Sequence, residues 1–131
     1  MTLLRRLLKA QAALWTLCSV VALIAPGWVV DDLLGQLPVD VVWIRTAAMM
    51  GIVLALLMVL VAQRIEDVWW WSWAFAALDA GTATVFAAHA VFGPPEGAAV
   101  WPWWSLAAVN GAFGAGVLVG MGRAGQEKPF S

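Results

Sequence analysis

The sequence predicts an all-α, polytopic membrane protein in which four transmembrane helices form an antiparallel bundle. Of its 131 residues, 63% are hydrophobic and 11% are charged, whereas a soluble domain averages about 45–50% apolar and about 25% charged residues. Four apolar stretches, each near the roughly 17–25 residues that cross a bilayer, occupy most of the length. We therefore expect one transmembrane domain, residues 1–131, with no separate soluble domain.

The ends of the four spans are marked by residues that interrupt helices or prefer water. The predicted spans run from about residue 7 to 24, 42 to 63, 68 to 92 and 101 to 121. The first opens on a basic segment that is similar to the start of a signal peptide, and we expect a retained anchor. It stops at Pro26–Gly27, a polar turn at 64–67 separates the second and third spans, and Gly93–Pro95 ends the third.

A short segment, residues 28–37, lies between the first two spans. Asp31 and Asp32 are flanked there by apolar residues three or four positions apart, which predicts an amphipathic helix on the membrane surface. An ordinary loop with a few apolar contacts is the alternative. Pro38 suits the first turn of the next helix, and Asp40 complements the helix dipole there.

The basic residues predict the orientation. With four spans, six of the seven basic residues fall on the side of both termini: Arg5, Arg6, Lys9, Arg64, Arg123 and Lys128. The positive-inside rule then places both termini in the cytoplasm. Nine of the ten tryptophans cluster near the predicted span ends, as interfacial anchors do. The usage of Ala, Gly, Val and Trp favours a bacterial protein, and hence the plasma (inner) membrane.

Composition also excludes several classes of protein. The net charge is −1, so a nucleic-acid footprint is absent and no nucleic-acid partner is expected. Cys18 is the only cysteine, which excludes an internal disulfide, a redox cysteine pair and a thiolate metal cluster. His89 is the only histidine, which excludes a site with two histidine ligands from one chain. We predict neither a cofactor nor a metal site. The expected partners are membrane lipids and either other membrane subunits or copies of the same chain.

Asp79 is the most informative residue, because it falls halfway along the third span. An acidic group at this depth costs at least a few kcal/mol unless it is protonated, paired or hydrated. Asn110 has a similar depth in the fourth span and is a candidate partner. Thr82 and His89 share the face of Asp79 and, with Arg45 at a comparable outer depth, suggest a polar line from the outer surface. Asp79 is therefore a candidate for fixing helix register, for binding a proton, ion or ligand, or for contacting a partner subunit.

Small residues predict where helices approach each other closely. Gly116 and Gly120 form a GxxxG pair in the fourth span. The same spacing pairs Asn110 with Gly114 and Gly111 with Ala115 in the fourth span. Beside Asp79 in the third span, it pairs Ala77 with Gly81. These strips predict close packing of the third and fourth helices or dimerisation through the fourth.

Three functions remain open. The lack of a catalytic constellation favours a structural or accessory subunit of a larger membrane complex. A small oligomeric proton-coupled transporter using Asp79 is the alternative. The layout resembles that of the small multidrug resistance transporters, but their essential glutamate lies in the first helix, where this chain has no acid, so the resemblance implies layout alone. A lipid-binding or lipid-modifying protein at the outer face, using Arg45, His89 and the Asp31–Asp32 segment, is the third hypothesis. No motif supports enzymatic chemistry.

Overall fold

The computed structural model of the protein describes residues 1–36 and 39–128, and this part of the chain is helical without a strand. Its helices are α1 (Thr2–Ile24), α2 (Val41–Gln63), α3 (Ile65–Val68), α4 (Ser72–Phe92) and α5 (Trp101–Glu127). Four helical stretches are long and apolar enough to cross a membrane, namely α1, α2, α5 and the continuous run Ile65–Phe92. The all-helical class and the four membrane-length helices predicted from the sequence are thus confirmed.

The first and last long helices, α1 and α5, extend beyond the predicted spans. Helix α1 begins at Thr2, because its first turns bury Leu4 and Leu8 completely. Helix α5 continues six residues beyond position 121 to Glu127. Glycine inside a helix costs about 1 kcal/mol relative to alanine, yet continuing α5 past Gly120 buries Ala124 completely. Burial against α1 and the α2–α4 connection therefore outweighs the poor helix propensity.

The connection from α2 to α4 is a chain of short helices rather than a loop. Helix α3 follows the turn at Arg64, and one 3₁₀ turn, Trp69–Trp71, leads into α4. A 3₁₀ turn is a common way to tighten the end of an α-helix. Arg5 of α1 holds this connection by donating to the carbonyl oxygen of Ala62 at 3.1 Å and to the carboxylate of Glu66 at 3.1 Å.

Three helix pairs form the bundle, and glycine lies at the contacts of each. Ser19 of α1 lies against Gly51 of α2, and Asp79 of α4 lies against Gly114 of α5. Helix α1 also packs on α5, where Leu4 contacts Gly120. Because α2 packs on α1 and α4 packs on α5, α2 and α4 are separated by a groove along the outside of the bundle.

The two halves of the bundle differ in packing. The compact half, nearest the α2–α3 turn, holds one cluster of buried apolar side chains: Leu4, Leu8, Ala12, Ala55, Met58, Val61, Ala62, Ile65, Trp69, Phe75, Ala76, Val117 and Ala124. The open half, nearest the segment between α1 and α2, contains a half-open cavity of about 220 Å³ among the four long helices. A polar pair between α1 and α4 lies where the two halves meet.

The segment between α1 and α2 forms one wide π-helical turn, Trp28–Leu33. Val30 is buried, whereas Asp31 and Asp32 are exposed. The indole nitrogen of Trp103 donates to the carbonyl oxygen of Leu34 at 3.3 Å, which joins the segment to α5. The end of the predicted segment at Leu37, and Pro38, lie outside the described residues. Asp40 caps α2 by accepting a hydrogen bond from the Val42 amide at 3.0 Å.

Candidate functional site at Asp79

Asp79 lies on the inward face of α4 and is fully buried. Ser72, Phe75 and Ala76, which lie seven, four and three residues before it, are also buried. Residues at these spacings share one face of a helix. The face that carries the acid therefore points into the bundle. This orientation is expected in a membrane, because lipid chains cannot form hydrogen bonds with polar groups.

The partner of Asp79 is Gln11 of α1, which is likewise fully buried. The Gln11 amide nitrogen Nε2 donates a hydrogen bond to Asp79 Oδ1. The sequence alone does not identify Gln11 as this partner, and two other polar residues of α1 near mid-span, Thr16 and Cys18, are exposed. The available signal was that Gln11 is the one polar residue in the apolar run between Lys9 and Trp15.

Two buried oxygen atoms of this pair have no hydrogen-bond partner in the described part of the chain. They are Asp79 Oδ2 and Gln11 Oε1. Both are acceptors when the aspartate is ionised. In an apolar interior, an acceptor without a donor carries a desolvation penalty of about 1–3 kcal/mol. The protonation of Asp79 is consequently the property on which the chemistry of this site depends.

Asn110 does not supply the second hydrogen bond. It is buried in α5, but its Nδ2 donates to the Leu106 carbonyl oxygen of its own helix at 2.8 Å. The residue opposite Asp79 is Gly114, one turn further along, where an added Cβ would approach the Asp79 Cβ to 3.1 Å. Asn110 lies near the middle of the predicted fourth span, which ends near residue 121, whereas α5 is longer. With its end at Glu127, the midpoint moves to Gly114.

Thr82 and Asn110 instead line the cavity of the open half. The complete lining consists of Leu14, Trp15, Cys18, Ser19, Ala47, Gly51, Thr82, Phe86, Leu106, Val109 and Asn110. Thr82 lies three residues beyond Asp79, and Leu14 lies three residues beyond Gln11, so the lining begins about one helical turn, roughly 5 Å, from the polar pair. Neither Asp79 nor Gln11 belongs to the cavity wall.

His89 and Arg45 belong to two separate contacts. The His89 ring packs on Trp103 with ring centroids 4.1 Å apart, and its Nε2 is buried without a partner in the described residues. Arg45 is exposed and donates to the Leu23 carbonyl oxygen at 3.3 Å. No hydrogen bond or ion pair joins Arg45, His89 and Asp79 in residues 1–36 and 39–128. Within those ranges, no group of three His, Cys, Asp or Glu side chains is placed to hold a metal ion.

Some of the small-residue strips lie at helix contacts within the chain, and one faces away from the bundle. Gly114 meets α4, whereas Gly116 and Gly120 meet Leu7 and Leu4 of α1 at 3.2–3.4 Å from an added Cβ. A Cβ on Gly111 would lie 3.9 Å from that of Ala83 in α4. The strip of Ala77 and Gly81 faces away from the bundle: both residues are exposed, and no described atom lies within 4 Å of a Cβ added to Gly81. Dimerisation through any of these strips stays a prediction.

These features define the class of protein as an all-helical, multi-pass membrane protein with a single buried carboxyl group in its described helices. No family model matches the chain, and neither a curated protein nor a solved structure matches it. The site and its surroundings are therefore the basis for any statement of function.

Proposed function

We propose that this chain is a non-catalytic accessory subunit of a larger membrane assembly, in which Asp79 is a packing residue. The observation that carries the proposal is the enclosure of Asp79: it is fully buried, bonded to Gln11 and backed by Gly114. A group that exchanges protons or substrate needs a path to water, and the cavity ends one turn away. A group that fixes two helices needs only its partner.

A proton on Asp79 completes the pair. A neutral carboxyl group carries one O–H donor, and an O–H on Oδ2 would find its acceptor in Gln11 Oε1, the other unpartnered oxygen of the pair. The two side chains then form a closed ring of two hydrogen bonds, acid to amide and amide to acid. This arrangement satisfies both orphaned oxygens and removes the charge that a membrane interior penalises. We infer that Asp79 is neutral and links α1 to α4.

The proposed topology is an antiparallel bundle in the bacterial inner membrane, with both termini in the cytoplasm. Its support is the charge pattern: the α2–α3 turn and both termini hold six of the seven basic residues. The segment Trp28–Leu33 would lie on the outer surface, with Asp31 and Asp32 toward water. The outward strip of Ala77 and Gly81 is available for a partner subunit, since small residues permit close helix approach.

Extraction of the native protein in mild detergent, followed by sizing and mass spectrometry, tests this function. We expect stoichiometric foreign subunits and an unchanged assembly in the Asp79→Asn variant, whose amide can replace both hydrogen bonds of the neutral acid. The matched variant Asp79→Leu removes both bonds and should reduce the amount of assembly. Isolation as a homo-oligomer without foreign chains would contradict the proposal.

A proton-coupled carrier is the second candidate, and the cavity of the open half favours it. The cavity presents hydroxyl, thiol and amide groups from Ser19, Cys18, Thr82 and Asn110, and its wall begins one turn from Asp79. In this case Asp79→Asn would abolish uptake driven by a proton gradient while leaving the protein folded. The same variant therefore separates the two functions, because an accessory subunit tolerates it.

A further inference from the structure

A long apolar groove lies between α2 and α4 on the outside of the compact half. Its volume is about 560 Å³, and its lining consists of Leu54, Leu57, Leu60, Val61, Arg64, Val68, Trp71, Ala74, Phe75 and Leu78. Val61 and Phe75 are buried and form its floor, whereas Leu57 and Leu60 remain about half exposed on one wall. The groove exists because each of its two helices packs on a different neighbour.

The length of the groove matches one leaflet of a bilayer. Along α2 it extends from Leu54 to Arg64, ten residues that rise about 15 Å at 1.5 Å per residue. The hydrocarbon core of a bilayer is about 30 Å thick. The groove thus covers half of that thickness, on the side of the α2–α3 turn. A partner transmembrane helix would cross both leaflets, which makes it a poorer match than a lipid chain.

The end of the groove near the α2–α3 turn carries side chains of the kinds that contact lipid headgroups. Arg64 is exposed, and its side chain makes no ion pair or hydrogen bond with another residue in the described ranges. The neighbouring carboxylate of Glu66 is already bound by Arg5 at 3.1 Å. Trp71 lines the same end, and tryptophan favours the depth of lipid headgroups. A guanidinium group binds phosphate through charge-assisted hydrogen bonds.

We propose that this groove is a binding site for one phospholipid of the leaflet on the Arg64 side. One acyl chain lies along the apolar walls from Arg64 to Leu54, and the phosphodiester is bound by the Arg64 guanidinium. The site goes beyond the proposed accessory function and depends only on placement of the four helices across a bilayer.

The test is a lipid titration of the full-length protein, followed by native mass spectrometry, with phosphatidylglycerol as the probe. We expect one lipid to be retained at collision energies that remove the others. Arg64→Ala should weaken its retention about fivefold, the change that corresponds to one basic side chain at a membrane surface. Ala74→Trp, which fills the groove with a ring, should abolish retention. The matched controls are Arg123→Ala and Ala112→Trp, exposed α5 positions that do not line the groove.

A second measurement keeps the proposal falsifiable if a variant fails to fold. Phosphatidylglycerol with a photoreactive acyl chain should cross-link the wild-type protein within residues 54–64 and 71–78. Equal loss of lipid in Arg64→Ala and Arg123→Ala, or cross-links spread evenly over all four helices, would overturn the site. A foreign membrane protein cross-linked at these residues in native membranes would assign the groove to a protein partner and would also overturn it, while leaving the accessory function intact.

Discussion

The compact half and the open half are built from the same four helices but differ in how tightly those helices pack. In the compact half, α1 is pressed between α2 and α5, and Leu4, Leu8 and Met58 are completely buried. In the open half, the helices surround a half-open cavity of about 220 Å³ that is lined partly by polar side chains. Membrane helices associate through packing and hydrogen bonds rather than through water exclusion. We therefore expect the stability of the bundle to depend more on the compact half than on the open half.

The largest expected effect is the difference in unfolding free energy between a side-chain truncation in the compact half and one in the open half. Met58→Ala removes a fully buried side chain, and truncations of this kind cost about 2–5 kcal/mol. Leu106→Ala should cost about half as much, because Leu106 already faces a cavity and loses fewer contacts. Unfolding in mixed micelles with increasing SDS measures both values. Equal losses would mean that the cavity is filled and that the two halves are alike.

The Gln11–Asp79 pair at the boundary should give the next largest effect. Gln11→Leu leaves the buried carboxyl group of Asp79 without its partner, and we expect a loss of about 1–3 kcal/mol in the free energy of unfolding. The double variant Gln11→Glu with Asp79→Asn exchanges the acid and the amide and should recover most of that loss. The same unfolding titration checks both. Failure of the exchanged pair to recover stability would argue against a ring of two hydrogen bonds.

Substitution of glycine by alanine should have opposite effects on stability at a packed helix contact and on an outward helix face. Gly120→Ala places a Cβ 3.3 Å from the Leu4 Cα, which belongs to the backbone and has little freedom to move. We expect a loss of about 1–2 kcal/mol from this overpacking. Gly81→Ala meets no described atom within 4 Å and should stabilise α4 by up to about 1 kcal/mol. If Gly81→Ala disrupts an oligomer in a sizing experiment, its strip is an interface between chains.

The smallest effect is expected inside the cavity. Thr82→Val keeps the shape of the side chain and removes only a hydroxyl group that lines the open half. We expect a change within about 0.5 kcal/mol, as for substitutions away from packed or bonded features. A loss above about 1 kcal/mol in the same titration would reveal a bound donor or acceptor at this hydroxyl.

Much of the fold was predictable because it depends on local properties. Four runs of apolar residues long enough for a bilayer give four helices whatever their packing, and Asp79 is recognisable from its depth alone. The partner of Asp79 was not predictable in the same way. It depends on how α1 and α5 pack around α4, and the extension of α5 to Glu127 shifts the opposing residue from Asn110 to Gly114. The glycine spacing likewise predicted close contacts without indicating that Gly116 and Gly120 would meet α1.

The protonation state of Asp79 distinguishes the packing role of this residue from a role in a proton-coupled carrier. Infrared spectra of the wild-type protein in lipid at neutral pH, minus those of Asp79→Asn, isolate the carbonyl stretch of this one side chain. A neutral, hydrogen-bonded acid paired with Gln11 predicts a carboxylic acid band that is present in the wild type and absent from the variant. A difference spectrum with the bands of an ionised carboxylate instead would contradict the packing role and favour the carrier.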